Sequence, residues 1–532
     1  MIYVSDRWRT AQSDVIVPES YVKISYEATE PGLHEMANLA HANWSDNPSS
    51  VNIIDSDDMQ PKYVTMERNR WLLDGECKIL PDDVAYGDTG FVSQFRGAGE
   101  GEIAIFYLPT IELSFDLIRT QAIPGVTIVW SSAWDEWATR VRITAYNAAE
   151  QIFSQEFESD SVRATYPFTL SNYTRIKIEV LNWSMPYHHA RVESVFIGTV
   201  TEYTRTGLIN FSHTQSGDIL SGELPKNSVT FSLNNADGIW NPDNPTGDIK
   251  HLAERQEIQV QYGMKFGDDI EWIDAGTFWV SEWETPANGM EVNFGARDAL
   301  LFMSDTYTGL RKGTLYDIAM AAFEQSDIPK LQNGTPRYVI SQQLARWSTD
   351  FSTDTSDYTN AEIVQLCANA ACCVFYQDRK GVLRVEPVRE NASGYVINKF
   401  LSYSHPDFTL TKPLKAVSVN NGLGTANNTS AGEIQTLENP MITNSTNAVR
   451  VAEWVRKTLE SRKILSGEYR ADPRLDVFDK IAVESKYGVN NAIYVTEITY
   501  TYNGSFKGKY TGRATVFDAE EWYSGELVSG EV

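Results

Sequence analysis

Cysteine and histidine are scarce in this chain, with 4 Cys and 7 His among 532 residues. Cys77 stands alone, while Cys367, Cys372 and Cys373 fall in an apolar run with helical spacing. A Cys-Cys pair following a third thiol, with no CxxC partner and no histidine beside it, is not a zinc spacing, and a disulfide framework belongs to shorter, cysteine-rich chains. These thiols read as reduced and buried. Basic residues are also short: 45 Lys and Arg face 71 Asp and Glu, a net charge of −26. That sign opposes phosphate backbones and excludes sequence-independent nucleic-acid binding, although it suits a channel that repels DNA inward. No run approaches the ~18 apolar residues of a membrane span, and the start MIYVSDRWRTAQSDV lacks the basic-then-apolar order of a secretion signal. The expectation is a protein made and kept soluble in a cytoplasm.

Catalytic motifs are missing as well. GxSxG, HExxH and the Walker-type GxxxxGK[ST] do not occur. The adjacent His188 and His189 have only Glu193 as a nearby acid in sequence, so a solvated turn is the expectation. Asp135-Glu136 reads as a charged loop rather than a glycosidase pair, and the acid-rich stretch Asp237 to Asp248 lacks calcium-loop spacing. No enzyme activity, metal or cofactor is expected.

What the chain does have is aromatic and β-forming. It carries 14 Trp and 26 Tyr, and hydrophobic residues make up 42%. That is enough for well-filled cores, and the length calls for several domains. Residues 1–62 mix short strand-like pieces such as Tyr21 to Tyr26 with polar runs and read as an extended N-terminal arm. From 63–200 apolar residues alternate (Ile111, Leu113, Phe115; Val141, Ile143, Ala145; Ile176, Ile178, Val180), with turns at Pro124-Gly125 and Ser171-Asn172, the pattern of a β-sandwich jelly roll.

Residues 201–303 hold strands such as Ser228 to Leu233 and Glu257 to Tyr262 and read as a small antiparallel barrel. Within 304–400, Leu315, Ile318, Ala319, Ala322 and Phe323 form one helical stripe. A second helix spans Asn360 to Cys373, with Asn360 as its expected N-cap and Ile363, Val364, Cys367 and Ala371 inward. A hairpin turns at Gln377 to Gly381. Residues 401–532 return to β, with a helix carrying Val451, Trp454, Val455 and Leu459, and the chain closes a second barrel around the turn Tyr502-Asn503-Gly504-Ser505. The fold class is therefore mainly β and multidomain: a β-sandwich jelly roll, then two small antiparallel β-barrels with an α/β helical insert between them.

Several segments carry a family resemblance. NNADGIWNPDNPTGDIKHLAERQEIQVQYGM (Asn234 to Met264) runs a dense turn cluster into an alternating strand, and resembles the first barrel of bacteriophage tail and baseplate hub proteins. TLENPMITNSTNAVRVAEWVRKTL, YRADPRLDVFDKIAVESKYG and AIYVTEITYTYNGSFKGKYTGRATV follow in the order of that family's second barrel. TRIKIEVLNWSMPYHHARVESVFIG (Thr174 to Gly198) resembles the closing strands of galactose-binding-like jelly rolls. MERNRWLLDGECKIL with DTGFVSQ is similar to their entry in tail proteins of phages of Gram-positive bacteria.

The resemblance, which extends to the N-terminal part of tail-associated lysins, implies a structural hub at the tail tip. It implies a homotrimer joining a sixfold tail tube to a threefold spike or fibre. The implied partners are the distal tail protein, tail tube, tape-measure protein and spike or fibre protein, and the implied location is the virion, with the arm wrapping a neighbour. For the jelly roll it implies host attachment: Trp130, Trp134, Trp137, Trp183, Tyr187 and His188 form the candidate glycan-binding set, because aromatic plates complement the C–H face of a sugar. A carbohydrate-binding host-recognition adhesin is the alternative. A peptidoglycan-degrading tail enzyme is a third reading, disfavoured because no lytic motif is present.

Overall fold

Alternating apolar residues become strands wherever one face can be buried, and in the computed structural model this happens in two separate β regions flanking a helical one. The structure describes residues 2, 4–14, 17–28, 33, 36–42, 53–54, 67 and 90–514, the last excepting 98–103, 106–107, 121, 206, 218–222, 242, 245–254, 268, 287–288, 331–334, 352–357, 389–391, 429–431 and 489. Cys77, the Leu73-Asp74-Gly75 pattern, Pro242, Pro245 and Asp248 lie outside the described residues.

The two barrels are one pattern used twice. In the first, strands Leu208–Ser216, Lys226–Asn234, Glu257–Phe266, Asp269–Glu284 and Glu291–Arg297 follow in sequence. The first pairs the second, the second the fifth, the fifth the fourth and the fourth the third, all antiparallel. In the second, Asp407–Leu410, Lys463–Tyr469, Lys480–Glu484, Asn490–Tyr502 and Phe506–Ala514 pair in the same four combinations.

Local details repeat too. The fourth strand bulges against the fifth between Val280 and Glu282 in one barrel and between Val495 and Glu497 in the other. Just before the third strand, Arg255 (φ 64°) donates its N–H to Val280 O at 2.9 Å, and Phe478 (φ 70°) does the same to Val495 O at 2.8 Å. At the bulge, Ser281 Oγ donates to Gly295 O and Thr496 Oγ1 to Thr511 O, both at 3.2 Å. An extra residue in one strand raises the local twist, so a shared bulge gives both sheets the same curl.

The Leu208 strand of the first barrel pairs the Asn490 strand of the second, which fuses them into a 13-stranded sheet over one apolar core. Barrel curvature brings the ends of each module together: Phe211 and Tyr262, on the first and third strands, meet edge to face at 6.2 Å.

Helices Leu315–Glu324 and Asn360–Ala370 start with capping boxes, Thr314 with Asp317 and Thr359 with Glu362. The cap of the second is therefore Thr359 and not Asn360, which is buried in the first turn. The sequence favours Thr359 because only it has an acid three residues on. The expected stripe from Leu315 to Phe323 is buried. The insert extends past the expected boundary at 400. Val417, Val419, Met441, Ile442, Val451 and Val455 share its core, because helix Ser445–Thr458 packs its apolar side on the three-stranded sheet 414–437. Ala392–Ile397, by contrast, pairs Lys480–Glu484 and belongs with the second barrel.

The jelly-roll region packs a six-stranded sheet and a three-stranded one over a common core in which Ile111, Leu113, Val141, Ile143, Ile176 and Ile178 are fully buried. The expected arm at 1–62 is different in its described residues. Asp6–Ser13 is a helix capped by Ser5, Ser20–Ala28 joins the first barrel as a partner of Glu257–Phe266, and Asn38–Ala42 pairs Thr110–Arg119 of the sandwich. Alternating Val22, Ile24 and Tyr26, all buried, explain the strand: a two-period apolar face gains more on an open sheet edge of its own chain than in solvent.

Candidate assembly surfaces

The seam between the barrels is built from polar residues that satisfy one another. His213, on the strand that crosses the seam, is 1% exposed. Its Nε2 lies 2.8 Å from Asn227 Oδ1 and its Nδ1 2.5 Å from the Tyr262 hydroxyl. Because Asn227 Oδ1 can only accept, Nε2 carries the proton and Nδ1 accepts from Tyr262. Burial pushes the imidazole down to about 4, so the ring is neutral at ordinary pH. Across the seam Tyr500 donates to the carbonyls of Asp472 and Leu475, each at 2.9 Å.

A single arginine from the insert locks both barrels. The Gln377 to Gly381 hairpin delivers Arg379, whose Nη1 donates to Asp274 O in the first barrel at 2.8 Å. Its Nε reaches Asp476 Oδ1 at 2.9 Å, and Nη2 reaches Pro473 O at 2.7 Å and Leu475 O at 3.1 Å in the second. A planar fork of donors fits this convergence of oxygens as lysine could not. The N-terminal helix adds a strap: Ser5 Oγ and Arg7 Nε both donate to Glu271 at 2.7 Å on the first barrel, while Gln12 Nε2 donates to Ala471 O at 2.8 Å on the second. Trp8 is buried beneath it.

Where these three elements meet lies a cavity of ≈ 660 Å³, lined by Trp272, Asp274, Asp298, Arg379, Arg384 and Phe478 among others. Asp298 caps a short helix by accepting the Leu300 N–H at 3.3 Å, and its other oxygen is buried without a partner among the described residues. Burial raises its carboxyl to about 7. Sequence reasoning overlooked Arg379, His213 and Asp298; a charged hairpin tip in Gln-Asp-Arg-Lys-Gly was the one available signal.

The candidate glycan residues do not form one open plate. Trp130 and Trp183 pack edge to face at 5.8 Å inside the sandwich. Trp183 Nε1 donates to Glu136 Oε2 at 3.0 Å, and His188 Nδ1 sits 2.7 Å from Glu136 Oε1. Trp130, Trp183 and His188 are thus core residues: Glu136, itself buried, draws Trp183 and His188 inward through their N–H groups, and Trp130 packs on Trp183. Trp134 and Trp137 are half-buried and Tyr187 is 42% exposed. His189 turns away from His188, with Nδ1 2.7 Å from Ser93 O, and no cluster of three His, Cys, Asp or Glu groups occurs among the described residues. Cys367, Cys372 and Cys373 are free and buried, and burial pushes the Cys372 and Cys373 thiols up to about 11 and about 12. No described helix is long and apolar enough to cross a membrane.

No protein-family model matches this chain, and no curated protein does. Among solved structures it is similar to the 43 kDa tail protein of prophage MuSo2 from Shewanella oneidensis, with 12% identity and a TM-score of 0.40 over 59% of this chain and 95% of that one. A tail protein from Neisseria meningitidis MC58 gives 12% identity and 0.41 over 59% and 93%. Prophage tail protein gp18 from Listeria monocytogenes EGD-e gives 10% and 0.38 over 60% and 94%.

Proposed function

We propose that this chain is a structural, non-enzymatic hub of a phage tail tip or baseplate, or of a phage-tail-like particle, in which three copies close a ring that joins a sixfold tail tube to a threefold spike or fibre. One observation carries the reading: the same five-stranded module occurs twice and is joined edge to edge across a locked seam. Two modules per chain turn three chains into six near-equivalent units, so one ring can match sixfold symmetry on one side and threefold on the other. Arg379 and the N-terminal strap hold the two modules at a set angle, which a ring requires. The partners on this reading are the distal tail protein, tail tube, tape-measure protein and spike or fibre, and the place is the virion. The net charge of −26 suits a lumen that DNA crosses without sticking.

Mass measurement of the purified chain over a concentration series, with imaging of particles that carry it, tests the reading. A trimer, and density for it around the tail axis at the tip, are the expected results; a chain located elsewhere on the particle overturns it.

A second reading, a carbohydrate-binding adhesin, rests on Tyr187, which is exposed at the end of the sandwich where Ser184 Oγ accepts the Trp137 N–H at 3.1 Å. A glycan array probed with the full chain and with Tyr187→Ala separates the two: a hit lost in the variant supports adhesion.

A further inference from the structure

The duplicated module has two edges that meet within the chain and two that do not, and the register of the first pair specifies how the second would mate. Aligning the barrels through the shared bulge makes Ser281, Glu282, Trp283 and Glu284 the counterparts of Thr496, Glu497, Ile498 and Thr499. Carrying the alignment across the sheet, Arg297 corresponds to Arg513, Ser228 to Ile464 and Thr214 to Thr409. His213 and Gln215 therefore correspond to Phe408 and Leu410.

In the seam, Thr214 lies opposite Thr499 and Gln215 opposite Ile498, and Gln215 and Ile498 are 8% and 0% exposed. At the matching positions outside it, Leu410 is 63% and Trp283 42% exposed. Among the described residues, Asp407–Leu410 pairs only Lys463–Tyr469, and Ser281–Glu284 pairs only the Glu291 strand. Thr411 donates its N–H to Arg462 O at 2.8 Å. Since antiparallel strands alternate their main-chain groups between sides, those of Phe408 and Leu410 face the open edge. An exposed, unpaired apolar edge is a template for another chain.

We infer that these two edges join one copy of this chain to the next, with Thr409 opposite Glu284 and Leu410 opposite Trp283 of the second copy, in the register of the internal seam. The occupant is a second copy because both halves of the joint lie on this chain, on strands with six others between them in the sheet and unpaired with each other, and the internal seam is a working example of the same contact. The joint is heterologous, so repeated it closes a ring or grows a filament; in the register of the seam its main-chain bonds run between Leu410 and Trp283 and between Phe408 and Thr285, with Thr409 and Glu284 as the non-bonded pair between them. The inference deepens the ring reading above and rests on it only for the number of copies.

The test is cysteine pairing in the full chain. Thr214→Cys with Thr499→Cys, whose hydroxyls are 3.2 Å apart, should cross-link within one chain. Thr409→Cys with Glu284→Cys should cross-link between chains, at well above the level of Thr409→Cys with Tyr487→Cys, an exposed site elsewhere. Leu410→Lys and Trp283→Glu should each weaken self-association about tenfold or more, as loss of a central apolar anchor does, and the double variant should recover much of it. An assembled ring in which the 409–284 pair cross-links no better than the control overturns the joint and leaves the ring reading standing. A wild-type chain that stays monomeric at every concentration, with no cross-link, overturns both.

Discussion

The two barrels share a pairing pattern down to the bulge, and differ in what fills matching positions. The first barrel places His213 where the second places Phe408, and Gln215 where the second places Leu410. The difference follows what lies beyond each edge. Where the neighbouring strand is part of the same chain, the edge is closed and its polar side chains find fixed partners, His213 in Tyr262 and Asn227 and Gln215 across the seam in the Val477 N–H and Asp476. Where the edge is left open, apolar side chains stand in solvent. The edges added to the third strands differ in the same way: Ser20–Ala28 runs antiparallel to Glu257–Phe266, whereas Ala392–Ile397 runs parallel to Lys480–Glu484. Pairing order and bulge position are therefore what the module conserves, and side-chain chemistry is set by the surroundings.

The sharpest way to break the comparison is to unlock the closed seam. Arg379→Ala leaves Asp476 without its cationic partner and takes the guanidinium donors from the Asp274 and Pro473 carbonyls, and loss of one member of a buried pair costs about 3–5 kcal/mol. Urea unfolding of the variant should show a drop of that size, and Arg379→Lys should recover only part of it, because a single ammonium cannot span Asp274 O and Asp476 together. A loss below about 1 kcal/mol would mean that strand pairing alone holds the seam.

A smaller effect separates the two titrating groups that lie on either side of Asn227: His213 at its side chain and Asp298, whose N–H donates to the Asn227 carbonyl at 3.0 Å. His213 falls from 6.5 to about 4 in the fold, so its contribution is complete above pH 6.5 and is lost as pH falls to 4, about 3 kcal/mol in all. Asp298 rises from 3.8 to about 7, so the fold takes up a proton there and gains stability as pH falls from 7 to 3.8, by about 4 kcal/mol. Between pH 6.5 and 4 the two oppose and nearly cancel. Asp298→Asn should then lose stability on acidification and His213→Gln should gain it, each by about 1.4 kcal/mol per pH unit relative to the parent. Urea titrations at several pH values read the slopes; parallel slopes in the two variants would show that neither group titrates as its burial requires.

Much of this was legible in the sequence. Two-period alternation marked the strands around Ile111, Val141 and Ile176, and three- and four-residue spacing marked the helix from Leu315 to Phe323. The turn at Asn503-Gly504 announced its hairpin. What was not legible depends on contacts distant in sequence. Ser20–Ala28 looks the same as a strand in an arm or on a barrel edge, and only the open side of Glu257–Phe266 decides between them. The Trp residues at 130 and 183 carry the composition of a sugar plate, yet Glu136, 47 residues from Trp183 in the chain, draws that indole N–H inward. Arg379 looked like a hairpin tip because its five oxygen contacts come from segments about a hundred residues away on either side. The duplication left only a scattered trace in residue identity: Val280 and Val495, Glu282 and Glu497, and Arg297 and Arg513 match, whereas His213 and Phe408, or Gly295 and Thr511, share a position and little chemistry.

The finest comparison concerns the paired residues at positive φ. Arg255 and Phe478 hold the same left-handed turn and the same N–H bond to the bulge, so the turn is a property of the module and the side chains are not. At Arg255 the side chain adds a guanidinium stack on Phe302 at 5.2 Å, worth about 0.5–1 kcal/mol at a partly exposed site. Glycine would relieve a left-handed strain of about 1–2 kcal/mol, partly offset by the greater freedom of the unfolded chain. Arg255→Gly should therefore change stability by less than about 1 kcal/mol. Phe478→Gly relieves the same strain but empties the space beside Tyr376, whose ring lies 5.7 Å away, and must destabilise. If both changes destabilise alike in urea unfolding, the turn's geometry is held by its side chains, and the equivalence of the two barrels at this point is of shape without shared cause.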